Sequence, residues 1–159
     1  MATAAKLADL SVLIVDPNQH HRAITSEILR AAGFMRIFTA ENSADALAEM
    51  RMWQPRVVVV EWAMAPIDGI EFTKRIRRGE QGIDRTIPII MLTARNKISD
   101  VEIARMAGVH EYAIKPVSST ALLTRMEAAA MRPRRFVDSP VYVGPCRRRK
   151  QSAAYHGPM

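Results

Sequence analysis

The stretch Val57 to Gly69, VVVVEWAMAPIDG, decides how the rest of the chain is read. Four consecutive valines lack the apolar–polar alternation of a half-exposed strand and predict a parallel strand covered on both faces. The run stops on an acid, Glu61, and in open α/β sheets the working groups lie at the carboxyl ends of strands. Asp68-Gly69 then opens a helix.

Similar units lie on either side. Ser11 to Asp16 (SVLIVD), Met35 to Thr39, Ile87 to Thr93 (IPIIMLT) and His110 to Ile114 read as four further strands. Between them, apolar residues recur at helical spacing: Ile24, Ile28, Leu29 and Ala32 up to a stop at Gly33; Ala44, Leu47 and Ala48 after an N-cap at Ser43; Phe72 and Ile76; Lys97 to Ala107, stopped at Gly108; and Leu122, Met126 and Ala129. Strands alternating with helices predict right-handed βαβ units around a parallel sheet. The expected fold is a flavodoxin-like (βα)5 three-layer sandwich with strand order 2-1-3-4-5, spanning 1–131, followed by an irregular basic tail over 132–159.

The composition fits such a domain. Of 159 residues, 48% are hydrophobic and 25% charged, as in an ordinary globular protein. No apolar run reaches the roughly 20 residues of a membrane helix, and the start MATAAKLADL has no signal-peptide core, so membrane insertion is not expected. The single cysteine, Cys146, rules out an internal disulfide and fits a reducing cytoplasm. The net charge of +7 is concentrated at one end. Residues 132–159 carry seven basic side chains against Asp138 alone, six of the seven net charges, which points to an anionic partner for that segment.

Asp16, Glu61 and Thr93 each end a strand, and Lys115 lies just past the fifth. Carboxylates hold hard cations, while a hydroxyl and an ammonium neutralise phosphoryl oxygens, so together these residues predict a site for phosphate and metal chemistry. LIVDPN, VVVVEWAMAPIDG, IIMLTA and YAIKPV resemble the successive motifs of response-regulator receiver domains, the family of the chemotaxis protein CheY, over residues 11–131. The resemblance implies that Asp16 belongs to the family's acidic pair, that Glu61 sits on the phospho-accepting aspartate, and that Thr93, Tyr112 and Lys115 match the switch hydroxyl, the switch aromatic and the phosphoryl-pairing lysine. It also implies a signalling module rather than an enzyme.

The departures from that pattern shape the functional expectation. Pro17 stands where the family has its second acid, Glu61 replaces the nucleophilic aspartate, and Ala65 replaces a usual proline. Magnesium demands near-ideal octahedral geometry and the family holds it with three carboxylates, so a set reduced to Asp16 and Glu61 is not expected to bind it. In-line attack tolerates little misplacement, with errors of about 1 Å costing ~100-fold. Glu61 is therefore expected not to be phosphorylated. Either it imitates a phosphorylated aspartate by reaching toward Lys115 and Thr93, or it marks an unused site in which it simply pairs with Lys115.

The tail, RPRRFVDSPVYVGPCRRRKQSAAYHGPM, holds two arginine clusters around an aromatic, turn-forming centre. Arginine forks suit phosphates and the O6/N7 edge of guanine, aromatic rings stack on bases, and a carboxylate can accept from guanine N1 and N2. The segment from Arg132 to Arg149 resembles the arginine-rich extension of a group of alphaproteobacterial CheY-like proteins that bind cyclic di-GMP, in which the ligand orders the extension and promotes docking to the flagellar motor switch. By that resemblance Arg132, Arg134, Arg135, Phe136, Asp138, Ser139, Tyr142, Gly144, Arg147, Arg148 and Arg149 form the ligand site. It departs from the RxxxR plus DxSxxG pattern, because Asp138 and Ser139 are adjacent. Two alternatives stand beside a cyclic di-GMP effector: a conventional phosphorylated receiver, which a phosphotransfer assay would reveal, and a nucleic-acid adaptor, which would bind with steep salt dependence. DNA is not expected as the partner, and recruitment from the cytoplasm to the flagellar motor or cell pole is.

Overall fold

Runs of apolar residues ended by caps and glycines become five strands and five helices in strict alternation in the computed structural model, which describes residues 7–147. In chain order these are β1 (Val12–Val15), α1 (Gln19–Ala31), β2 (Ile37–Ala40), α2 (Ser43–Trp53), β3 (Val57–Val60), α3 (Gly69–Arg78), β4 (Ile89–Thr93), α4 (Ile98–Ala107), β5 (Glu111–Ile114) and α5 (Ser119–Met131). The parallel sheet has the order β2-β1-β3-β4-β5, the flavodoxin-like arrangement expected from the sequence. Every residue of β1, β3 and β4 is buried, which is why their sequences do not alternate.

Successive strand residues nevertheless face opposite layers. Leu13, Val15, Val58, Val60, Ile89 and Met91 pack with Leu47, Phe72, Ile76 and Ala104 under α2, α3 and α4. Val12, Ile14, Val57, Val59, Ile90 and Leu92 pack with Leu29, Leu122, Met126 and Ala129 under α1 and α5. The two layers hold the sheet rigid, and its register brings the ends of β1, β3, β4 and β5 level.

Two local expectations are corrected. The N-cap of α2 is Asn42, whose side chain accepts from the Asp45 amide, and not Ser43. The Ser43 hydroxyl instead accepts from the Ile67 amide, tying the β3–α3 loop to α2. The segment after α5 also has regular structure where the many prolines suggested none. Phe136–Asp138 (β6) and Val143–Pro145 (β7) form an antiparallel hairpin with Phe136 opposite Pro145. A turn closed by Ser139 and Tyr142 joins them. No helix among the described residues is long and apolar enough to cross a membrane.

Candidate functional site

At the carboxyl ends of the strands, Lys115 reaches back across the sheet. Its Nζ lies 2.6 Å from Asp16 Oδ2, 2.7 Å from Glu61 Oε1 and 3.0 Å from His21 Nδ1. An ammonium has three donors and no acceptor, so all three are engaged, and His21 Nδ1 must accept. That places the imidazole proton on Nε2. The side chains of Lys115, Asp16 and Glu61 are only 11%, 7% and 11% exposed, so this is a largely desolvated cluster of two carboxylates around one cation.

Each carboxylate is also held from its other side. Asp16 Oδ1 accepts from the Asn18 amide at 2.9 Å. Glu61 Oε2 accepts from the amides of Trp62 (2.7 Å) and Ala63 (3.1 Å). Burial alone would push the Glu61 carboxyl up. Hydrogen bonds from Lys115, Thr93 and the Ala63 amide, with the lysine charge, outweigh it and hold Glu61 below its ordinary range, hence ionised.

The backbone around Glu61 is fitted closely. Gly69 donates to the Trp62 carbonyl at 2.8 Å, and a Cβ at position 69 would lie 2.4 Å from the Glu61 carbonyl oxygen. Only glycine lets the start of α3 close against the strand end. Asp68 caps that helix by accepting from the Glu71 amide.

Thr93 is buried at the end of β4, close enough to Glu61 to help hold its carboxyl down, and its hydroxyl accepts from the Arg95 amide at 3.4 Å. Tyr112, half-buried on β5, donates its hydroxyl to the Arg95 carbonyl at 2.8 Å. Burial first, then the negative charges of Asp100 and Glu61, push this phenol up to about 12 against the opposing pull of Arg95. The Arg95 guanidinium lies 4.1 Å from the centroid of the Trp62 ring and pairs with Asp100 at 3.0 Å, so the β4–α4 loop is pinned over the residue next to Glu61.

The five residues singled out in the sequence are thus neighbours, and His21 joins them unannounced. The signal for His21 was its place in the first turn of α1, the helix that follows Asp16 directly. Pro17 offers no carboxylate, and both remaining acids are committed to Lys115. Among the described residues no group of three or more His, Cys, Asp or Glu is arranged to hold a metal.

The arginine-rich segment is anchored elsewhere. The hairpin packs where β4 and β5 begin, at the opposite end of the sheet from Thr93 and Lys115. Arg77 of α3 is fully buried there, donating to the carbonyls of Gly108 (2.9 Å), Arg85 (2.7 Å) and Ile87 (2.8 Å) and meeting His110 Nδ1 at 2.9 Å. Burial, against the opposing pull of Tyr142 and Asp84, lowers its pKa to about 9. Gly108 and Gly144 meet backbone to backbone: a Cβ on Gly144 would lie 2.8 Å from the Gly108 Cα.

Most of the remaining segment residues face this seam. Tyr142 is buried and donates to the Pro145 carbonyl at 2.7 Å. Arg134 donates to the His110 carbonyl, and Arg132 pairs with Glu127 at 3.0 Å. Phe136 lies under Arg85, 5.3 Å from guanidinium to ring centroid, and Asp138 pairs with Arg85 at 3.1 Å. Ser139 is used in the turn, and the exposed Arg135 accepts the Cys146 amide on its carbonyl. Arg147 lies over Tyr142 at 5.0 Å and touches Met106 of α4. Arg148 and Arg149 lie outside the described residues.

Comparison with known proteins agrees with this fold. The family model described as response regulator receiver domain matches residues 12–127. The transcriptional regulatory protein AfsQ1 of Streptomyces coelicolor is 34% identical over 122 residues, covering 77% of this chain and 52% of AfsQ1. Chemotaxis protein CheY-3 of Vibrio cholerae is 30% identical over 119 residues, covering 75% of this chain and 90% of CheY-3. The chain spans about half the length of the transcriptional regulators it matches. Among solved structures, chemotaxis protein CheY4 of Vibrio cholerae superposes with a TM-score of 0.69 at 26% identity, over 76% of this chain and 98% of that one.

Proposed function

The chain belongs to the response regulator receiver domain family, and we propose that within it this protein signals without a phosphoryl group, taking cyclic di-GMP at its arginine-rich extension as its input. The observation that carries the first half is the lysine with no donor to spare. Lys115 engages Asp16, Glu61 and His21 at once, which fills the position a phosphoryl oxygen would need and ties up both carboxylates. The Lys115 ammonium sits between the two carboxylates, where a bound cation would have to lie.

The second half is supported by the composition of residues 132–149 and by the way part of it is presented. Arg135 and Arg147 are exposed at the two ends of a hairpin that is already formed, with Arg147 5.0 Å from the centroid of the Tyr142 ring. A preformed site lowers the ordering cost of binding a dinucleotide. The output surface in this proposal is the face of α4, β5 and α5, where Ile98, Ile103, Met106 and Ile114 are exposed, and its partner is the flagellar motor switch.

Isothermal titration tests the proposal. Cyclic di-GMP should bind in preference to GTP, GMP and short RNA, and the R147A/R148A/R149A variant should lose that binding. Equal, steeply salt-dependent binding of RNA would overturn it in favour of a nucleic-acid adaptor.

A further inference from the structure

We propose that Arg85, which lies in the α3–β4 loop outside the arginine-rich segment, is a nucleotide-binding residue, and that Asp138 holds its place until the ligand arrives. The inference rests on the cyclic di-GMP reading above and extends that site from the extension onto the body of the domain.

Three observations meet at Arg85. Its guanidinium lies 5.3 Å from the centroid of the Phe136 ring, one flat cation against one aromatic face. Its Nη2 is 3.1 Å from Asp138 Oδ2. Its Nε is buried, with no hydrogen-bond partner among the described residues. A buried N–H without a partner is costly, and such a group calls for an explanation. Neighbouring Arg77 differs in this respect, since its contacts to three carbonyls and a histidine account for its guanidinium.

The pair with Asp138 is poorly suited to be permanent. The Asp138 side chain is 62% exposed and that of Arg85 37%, and ion pairs in such settings contribute little. A carboxylate at the guanidinium edge with a ring beside its plane reproduces, from the protein's own residues, what a guanine nucleotide offers. Once Asp138 leaves and the side chain shifts to uncover Nε, guanine O6 and N7, or two phosphate oxygens, would take the Arg85 fork with both Nε and a terminal nitrogen, satisfying the donor that is now idle. Asp138, released, can accept from guanine N1–H and N2–H, while the Phe136 ring continues to support the Arg85 guanidinium. The acid that weakens the segment as a polycation is then explained twice, as place-holder and as base reader.

The test pairs titration with a side-chain signal. Wild type, Arg85→Ala and Arg85→Lys are titrated with cyclic di-GMP by calorimetry, and the Arg85 Nε–H resonance is followed by ¹H–¹⁵N NMR in the wild type. The proposal expects Arg85→Ala to bind about tenfold or more weakly, because a charge-assisted bond is lost. Lysine, which has no fork, should restore little. The Nε–H resonance should move as ligand is added. Wild-type-like affinity in Arg85→Ala, or a stationary Nε–H signal at saturation, overturns the role of Arg85 while leaving the ligand in place. Absence of binding to the wild type overturns the cyclic di-GMP reading itself, and this inference with it. A thermal melt of Arg85→Ala close to wild type confirms that the affinity is read on a folded protein.

Discussion

Glu61 and Lys115 meet across β4, from strands that are not neighbours in the sheet, with Oε1 2.7 Å from Nζ. The lysine follows β5 and reaches back to the acid that follows β3. Asp16 joins on the same nitrogen at 2.6 Å, so one ammonium is shared by two largely buried carboxylates. The cluster joins β1, β3 and β5, and its partners are all internal.

Removing the cation should therefore be expensive. Lys115→Met keeps most of the stem but leaves two carboxylates desolvated and facing each other, and should destabilise the fold by about 3–5 kcal/mol near neutral pH. Adding Asp16→Asn and Glu61→Gln should recover most of that loss, because the uncompensated charges go with them. Urea unfolding of the single and triple variants measures both effects. Equal stabilities for the single variant and wild type would mean that the cluster is solvated rather than closed.

The cluster also has an acid limb. Glu61 is held below its ordinary value of 4.5 in the folded state, so the unfolded chain binds the proton more readily. The stabilisation is fully present above that value and is lost as pH falls through the lower, folded pKa. Glu61→Gln should thus flatten the decline of stability on the acid side of pH 4.5. Denaturant melts along a descending pH series check it, and parallel acid limbs in the two proteins would contradict it.

Gly108 is the hinge of the hairpin seam. It has φ +112°, and a Cβ there would come within 2.8 Å of Arg77 Cγ and 3.0 Å of the Val143 carbonyl. Gly108→Ala should cost roughly 1–2 kcal/mol in backbone strain and push the hairpin off its seat. Hydrogen exchange at the Cys146 amide, which donates to the Arg135 carbonyl within the hairpin, should accelerate in the variant. Unchanged protection would show that the hairpin holds without the Gly108 contact.

Much of the sheet was legible because a strand buried on both faces announces itself as an unbroken apolar run, as Val57 to Val60 does. The acid after the run, and its counterparts at Asp16, Thr93 and Lys115, could be placed on one sheet edge by topology alone. Three things were not readable. Asn42 and Ser43 are both good cap formers, and only the Ile67 amide that needs the Ser43 hydroxyl separates them. His21 sits on a helix turn like many surface histidines, and nothing local reveals Lys115, 94 residues away.

The hairpin was the largest omission. Its strands are three residues each, too short for periodicity. Phe136 lies beside Arg77, 5.9 Å from guanidinium to ring centroid, and the fold buries that arginine completely. Long-range burial of an arginine under a proline-rich segment leaves no local trace.

The central claim is that Glu61 no longer takes a phosphoryl group, and intact-mass measurement after incubation with acetyl phosphate and magnesium tests it most directly. The account predicts an unmodified mass for the wild-type protein. A stable, magnesium-dependent gain of about 80 Da (one phosphoryl group) mapped to Glu61 would contradict it and restore the protein to conventional phosphotransfer signalling.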